Sequence, residues 1–422
     1  MSAGSAVRPD IGLVRREARA ATPAVVAVCV LTLLGAALRV WRIGHQGFWF
    51  DEANTAMLVH LSPGKMLGLL PQSESTPPLY YCIAWVWARV FGFGEAGLRS
   101  LSAVAGTLTI PVAYGVAANL FAGNGMGSGR RWGTARRDAG ARAGLVAAAL
   151  TTFNPFLIWY SQEARSYSLL VLLTGVSLLA FVRARASPSP RRLALWVVAA
   201  ALALATHYYA LVAVVPQALW LLAEHRRRRG VQIAFAVVAL CGLALLPLAL
   251  SQNGTGNDSW IATAPFGERL RQIIPQFLIG TDMSDRTLFK YVAYALALVA
   301  LALLALRARA EELRPAAVAG ALALAGFALA LIMVGAGFDD LITRNIIALW
   351  LPAAVAVAGG LAVARARRLG ALVAAGLCAI GVVATVGIAL DRNLQRPDWR
   401  YVARALGSWP APDSTGSTAA AG

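Results

Sequence analysis

Apolar residues in this chain come in long blocks, not in alternation. Stretches nearly free of charge occupy 24–43, 98–121, 143–160, 166–182, 231–250, 288–306, 316–336, 345–363 and 371–390. Each approaches or reaches the roughly 20 residues that an α-helix needs to cross a hydrocarbon core of about 30 Å. The pattern predicts an all-α polytopic membrane protein. Two regions do not fit a simple count. Residues 79–92 (LYYCIAWVWARVFG) are short and aromatic, contain Arg89 and follow Pro77-Pro78. Residues 193–223 form one apolar stretch of 31 residues, too short for two ideal spans.

Between the blocks lie short arginine clusters. The tail before residue 20 and the segments 123–142, 183–192, 224–230, 307–314 and 365–368 hold 23 of the 36 arginines. Basic loops stay on the cytoplasmic side, so all six are predicted cytoplasmic, and the crossings between any two must be even in number. Spans 24–43 and 98–121 already supply two, which puts 79–92 in the outer interface or in a re-entrant segment. The stretch 193–223 must then be a short helical hairpin turning near Thr206-His207-Tyr208-Tyr209. The total is 11 crossings. This divides the chain into a cytoplasmic tail (1–23), a transmembrane domain (24–390) and a short outer tail (391–422). The domain includes a first outer loop (44–97) and a long outer loop (251–287). The tail ends in the low-complexity APDSTGSTAAAG, predicted disordered. Arg8, Arg15, Arg16 and Arg19 lead into an apolar block that ends at Arg39 and Arg42, which reads as a first membrane helix and not as a cleaved signal.

Composition agrees and excludes other classes. The 422 residues are 58% hydrophobic and 14% charged, whereas soluble domains carry about 25% charge. A net charge of +18 would suggest nucleic acid in a soluble protein, but here the basic residues sit where helix-orienting loop charges belong. Cys29, Cys82, Cys241 and Cys378 are widely separated in apolar surroundings, without metal-ligand spacing.

The same parity sends Asp51, Glu52, Glu74, Glu163, Asp258, Glu268, Asp282, Asp285, Asp339, Asp340, Asp391 and Asp398 to the outer side. Asp51-Glu52 follow the aromatic run Phe48-Trp49-Phe50. They read either as first-turn charges favourable to a helix dipole or as a partly desolvated carboxylate base. Glu163 and Arg165 occupy a tight turn flanked by Tyr160 and Tyr167, as an interfacial ion pair or as part of a site. His207, beside Tyr208 and Tyr209, and Arg344, at the start of a span, have the same two readings: interfacial packing and snorkelling, or ligand contact. The loop 251–287 reads as a lid or as a solvated linker. Together, base-capable carboxylates, cations and a histidine on one surface suit an acid–base reaction whose leaving group is anionic. A phosphate leaving group would need arginine or a metal to stabilise its charge.

The runs FWFDEA, STPPLYY, NPFLIWYSQEARSYSLL, THYYALVAVVPQALWLL and PDWRYVARAL, in this order, resemble glycosyltransferase family 39-type proteins. These integral-membrane C-type glycosyltransferases are related to protein O-mannosyltransferases and to the aminoarabinose transferase of lipid A. The resemblance covers about residues 30–405. It implies the C-type fold, a polyprenyl-phosphate sugar donor with mannose favoured, and inverting transfer on the outer side of the cell membrane. The acceptor would be a protein, glycolipid or polysaccharide hydroxyl. It implies Asp51 as the base that deprotonates this hydroxyl, with Glu52 as its acidic catalytic neighbour. Tyr160, Gln162, Glu163, His207 and Tyr208 would bind or orient substrate. Glu163 matches a position that contacts a metal in some members, and Glu74 and His207 could complete a divalent-metal site. Glu74 stands one residue further from the prolines than the family pattern. Arg165 and Arg344 are assigned to the lipid phosphate on charge and sidedness. Larger relatives add an outer domain after the last span, so acceptor recognition here falls to outer loops or a partner protein. The competing reading is a transporter or lipid flippase. Such proteins place charge near the bilayer midplane and show internal repeats, whereas the long spans here are nearly uncharged.

Overall fold

A computed structural model describes residues 11–123, 130–257, 259–281, 283, 287–397 and 399–407. Asp258, Asp282, Asp285, Asp398 and the tail 408–422 lie outside the described residues, as does 124–129 within the first basic loop. The described chain is helical, without strands. Its helices are α1 (Ile11–Val40), α2 (Phe50–His60), α3 (Pro63–Ser73), α4 (Leu79–Phe91), α5 (Glu95–Ala122), α6 (Arg130–Phe153), α7 (Pro155–Ser161), α8 (Tyr167–Ala186), α9 (Pro190–Thr206), α10 (Leu211–His225), α11 (Arg229–Asn253), α12 (Phe266–Ile279), α13 (Thr287–Arg307), α14 (Ala310–Gly335), α15 (Trp350–Leu361), α16 (Arg367–Leu390) and α17 (Trp399–Leu406).

Seven of these helices are long and apolar enough to cross a membrane, or eight if the bent pair α6–α7 counts as one. The predicted 11 crossings are not reproduced by this criterion, for local reasons that can be traced. The block at 143–160 breaks at Asn154-Pro155, where α6 and α7 meet at 57°. A residue before proline is pushed out of the helical region. Asn154 then caps the new helix by accepting the Leu157 N–H at 3.0 Å, with Pro155 in the first turn. Proline also leaves the Thr151 carbonyl without its intrahelical donor. Arg39, buried at the end of α1, supplies one from Nη2 at 3.0 Å and bonds Ser161 through Nε at 3.2 Å.

The stretch 193–223 breaks where its turn is expected, since α9 ends at Thr206 and His207 is extended. Its two halves meet through a buried hydrogen bond from Trp196 Nε1 to Gln217 Oε1 at 3.1 Å, and each has further partners. The first lies against α8 and α11, the second against α8 and α14. They have 17 and 15 residues. The block 345–363 shortens to the 12 residues of α15, because a 3-10 turn at Ile347–Leu349 precedes it. Helix α4 has 13 residues, about 20 Å at 1.5 Å per residue, and cannot cross. It packs on α2, α5 and α9.

The main core joins α5 to α11, α14 and α15 around Val116, Phe156, Leu170, Phe181, Trp196 and Val355. Without a hydrophobic drive between helices in lipid, association relies on close backbone approach. Gly360 of α15 permits it: a Cβ there would collide with the Ala300 carbonyl of α13. Helices α11 and α13 leave most of their apolar surface outward, as spans facing lipid do.

The arginine-bearing junctions α8–α9 and α10–α11 meet at one end of the bundle, where Arg185 binds Glu224. At the other end, the α7–α8 turn, the α9–α10 break and the segment before α15 converge on α2.

Candidate active site

The two adjacent carboxylates of α2 point to different environments. Glu52 is fully buried. Arg99 of α5 grips it bidentately, Nε to Oε1 at 2.7 Å and Nη2 to Oε2 at 2.6 Å. The carboxylate also accepts the backbone N–H of Ala164 at 2.8 Å and, from the start of its own helix, that of Trp49 at 3.4 Å. Burial alone would raise its pKa, but the Arg99 pairing outweighs it and holds the carboxyl below its ordinary value. Its oxygens are taken by Arg99 and backbone N–H groups, which gives Glu52 a positioning role; it does not line the cavity that Asp51 faces. Arg99 further donates to the carbonyls of Ile43, Gln46 and Gly47 at 2.8–2.9 Å, so one guanidinium ties α5, α2 and the connection between α1 and α2 together.

Asp51, one residue earlier, is partly exposed and lines a cavity of about 550 Å³. Arg344 reaches its Oδ2 at 3.5 Å through Nη1, whereas Arg344 Nε is buried and has no hydrogen-bond partner. Three aromatic rings, Trp49, Tyr167 and Trp260, surround this guanidinium at 5.2–5.7 Å from their centroids. Arg165 lines the same cavity. All its hydrogen bonds leave from Nη1, the closest to Glu74 Oε1 at 2.9 Å and Tyr81 Oη at 3.2 Å. The rest of its fork is left for a ligand. Burial opposes its charge, but Glu74 reverses the balance and keeps it a cation. Two guanidiniums with spare donors therefore flank one carboxylate.

His207 and Tyr208 line the cavity too. His207 Nδ1 accepts the Tyr209 N–H at 3.1 Å, which leaves the ring proton on Nε2. Burial first, then Arg165 and Arg344, depress its pKa to about 3, so the ring is a neutral donor and not an acid. Tyr208 donates to Gln252 at 2.6 Å. Beyond this polar end the cavity becomes apolar, lined by Leu211 and Val215 of α10, Leu245 and Leu246 of α11, and Leu329 and Met333 of α14.

Three expected substrate contacts lie elsewhere. Tyr160 is buried edge-on between Phe156 and Tyr167. Gln162 caps the end of α1 by donating to the Leu38, Arg39 and Trp41 carbonyls at 2.8–3.3 Å. Glu163 is buried against Arg396, Oε2 to Nη2 at 3.1 Å, and its Oε1 has no partner. Arg396 also donates to the Trp159 and Gln162 carbonyls and lies 3.9 Å over the Trp159 ring. The segment after α16 is thus a strap holding the α7–α8 turn, and Trp399 brings its ring 6.5 Å from Phe50 at the cavity. Sequence reasoning missed Arg39, Arg99 and Arg396; the only signal for the last was its place before PDWRYVARAL.

The suggested metal site fares differently. Glu74 Oε1 is shared between Arg165 and Asn54, the latter at 2.8 Å, Glu163 faces Arg396, and His207 Nδ1 is bonded to backbone. Among the described residues no group of three or more His, Cys, Asp or Glu could hold a metal ion. Glu74 and Glu163 each face an arginine, so a cation there would have to compete with Arg165 and Arg396.

Glu52→Gln leaves Arg99 buried and uncompensated. It is expected to destabilise the protein by about 3–5 kcal/mol, read as a lowered thermal midpoint in detergent; Asp51→Asn, at a partly exposed position, should leave the midpoint nearly unchanged. Equal midpoints for Glu52→Gln and wild type would overturn the positioning role. Glu163 adds a pH signature. Burial raises its pKa from 4.5 to about 7, so the folded state keeps a proton that the unfolded chain has lost. Its contribution is fully present below 4.5 and declines as pH rises to about 7. Between about pH 5 and pH 8, wild type should lose stability relative to Glu163→Gln; parallel pH curves for the two would contradict this.

Comparison with known proteins adds independent support. A family model described as dolichyl-phosphate-mannose-protein mannosyltransferase matches residues 131–250. No curated protein sequence matches significantly. Among solved structures, the chain is similar to ArnT from Cupriavidus metallidurans in the apo state, with TM-score 0.53 and 18% identity over 92% of this chain and 69% of that one. It is also similar to the same protein bound to undecaprenyl phosphate, with TM-score 0.51 and 17% identity over 90% and 68%. The chain shares the all-helical C-type glycosyltransferase fold of these structures.

Proposed function

We propose that this protein is a membrane glycosyltransferase that moves a sugar, with mannose favoured, from a polyprenyl-phosphate donor to an acceptor hydroxyl. The observation that carries the reading is one cavity in which Asp51 stands beside two arginines with spare donors, continued by an apolar arm between α10, α11 and α14. The isoprenoid chain would lie in that arm. The phosphate would take the unused donors of Arg165 and Arg344. The undecaprenyl phosphate bound to ArnT and the mannosyltransferase family match agree with this chemistry.

In the reaction, the Asp51 carboxylate takes the proton of the acceptor hydroxyl as its oxygen attacks the anomeric carbon. The bond from that carbon to the phosphate oxygen breaks, and its electron pair leaves with the polyprenyl phosphate. Arg165 and Arg344 stabilise the added charge. Attack from the side opposite the phosphate inverts the anomeric centre. Before donor binds, Arg344 is paired with Asp51; a phosphate would compete for this guanidinium and release the carboxylate to act as base. His207, neutral with its proton on Nε2, would donate a hydrogen bond to donor or acceptor.

Transfer from a radiolabelled polyprenyl-phosphate sugar in membranes tests the roles. Asp51→Asn should lower turnover by about 10²–10⁴-fold while donor binding persists, and retained turnover would remove it as the base. Arg344→Gln should weaken donor binding by about 10- to 100-fold, the loss of one charge-assisted contact.

The arginine distribution further supports a cell-membrane orientation with the N-terminus cytoplasmic and the cavity extracytoplasmic. On intact cells, with the native cysteines removed, an impermeant maleimide should label Asn257→Cys but not Ser187→Cys. Labelling of both, or of Ser187→Cys alone, would contradict this orientation.

A further inference from the structure

The end of the bundle away from Asp51 carries a second cavity, of about 320 Å³, which the proposed reaction does not use. It lies where the C-terminal ends of α5 and α8, the start of α9 and the end of α10 come together. Its polar lining is Asn119, Arg183, Arg185, Arg192 and Glu224. One of the three arginines is neutralised locally: Arg185 grips Glu224 through Nε and Nη2 at 2.7–3.0 Å and lies over the Trp220 ring. The other two are not. Arg183 donates only Nε, to the Asn119 side chain at 3.3 Å. Arg192 uses Nη1 alone, on the carbonyls of Arg183 and Ser187 at 3.3 and 3.1 Å. Neither meets a carboxylate among the described residues.

These contacts aim the guanidiniums without discharging them. Both arginines are exposed at the mouth of the cavity, and the remaining donors of both forks stay available beside this one concavity. We infer that this cavity binds a phosphate group, that of an anionic glycerophospholipid at the membrane surface or a free phosphate. A phosphate oxyanion matches both the spare planar donors and the two uncompensated charges, and the volume suits a headgroup. The site joins α8 to α9, the helices whose opposite ends carry Tyr167 and His207, so its occupancy would brace the frame of the Asp51 cavity. The inference does not depend on the transfer reaction.

The test uses the full chain in neutral detergent, with native mass spectrometry and thermal unfolding in the presence of phosphatidylglycerol, phosphatidylcholine or sodium phosphate. Phosphatidylglycerol should be retained and should raise the thermal midpoint, and phosphatidylcholine should do neither. R183Q/R192Q should weaken phosphatidylglycerol binding by about tenfold or more. R227Q/R228Q, which removes two exposed arginines from the same end outside the cavity, should not. Displacement of the lipid by sodium phosphate would assign the site to the free anion, and its absence to the lipid headgroup; either outcome upholds phosphate recognition. Equal binding in R183Q/R192Q and wild type would overturn the inference. So would an equal loss in R227Q/R228Q, or phosphatidylcholine binding as well as phosphatidylglycerol.

Discussion

A carboxylate taken out of water must be paired, or its cost falls on the whole fold. Glu52 meets that demand through Arg99, and the pair organises everything around it. The same guanidinium holds three carbonyls of the α1–α2 connection, and the same carboxylate receives the Ala164 N–H from the α7–α8 turn. Asp51 is therefore presented at the cavity by a neighbour whose position is over-determined. Arg165, one residue beyond Ala164, is delivered to the cavity from the same knot. Two loops more than 100 residues apart in the chain are registered to each other by one buried charge pair.

Arginine does most of the structural work at this end of the bundle. Arg39 replaces a donor that Pro155 cannot supply, Arg396 clamps the α7–α8 turn against the segment after α16, and Arg269 ties α12 to Asp339 at 2.8–2.9 Å. A planar fork with five donors can satisfy several carbonyls and a carboxylate together, which a lysine ammonium does less well. Arg165 and Arg344 differ in one respect: their forks are only partly used. That difference, more than their charge, separates arginines that hold the fold from those available to an anion.

The all-α membrane architecture was legible in the sequence because it depends on a one-dimensional property, the length of apolar blocks. The breaks at Asn154-Pro155 and His207 carry local signals as well, and the sorting of charge between the two ends follows from chain order. The count of 11 crossings went beyond this. Whether a 12- to 17-residue helix spans, tilts or stops short depends on its neighbours, as α9, α10 and α15 show. The helical hairpin expected over 193–223 has its break at His207, and both of its helices lean on α8.

Side-chain roles divide along the same line. Sequence alone placed Asp51, Glu52, Glu163, Arg165, His207 and Arg344 on one surface, since sidedness is set by loop order and charge. It could not tell which of them would face substrate. Asp51 and Glu52 are consecutive and chemically alike, yet successive residues on a helix point about 100° apart, so one meets the cavity and the other Arg99. Glu163 and Glu74 were assigned to a metal by the family resemblance; the arginines they face, Arg396 and Arg165, lie 233 and 91 residues away in the chain. Membership of a surface is a matter of topology, which the chain records. The pairing of buried charges requires three-dimensional proximity, and only the tertiary structure decided it.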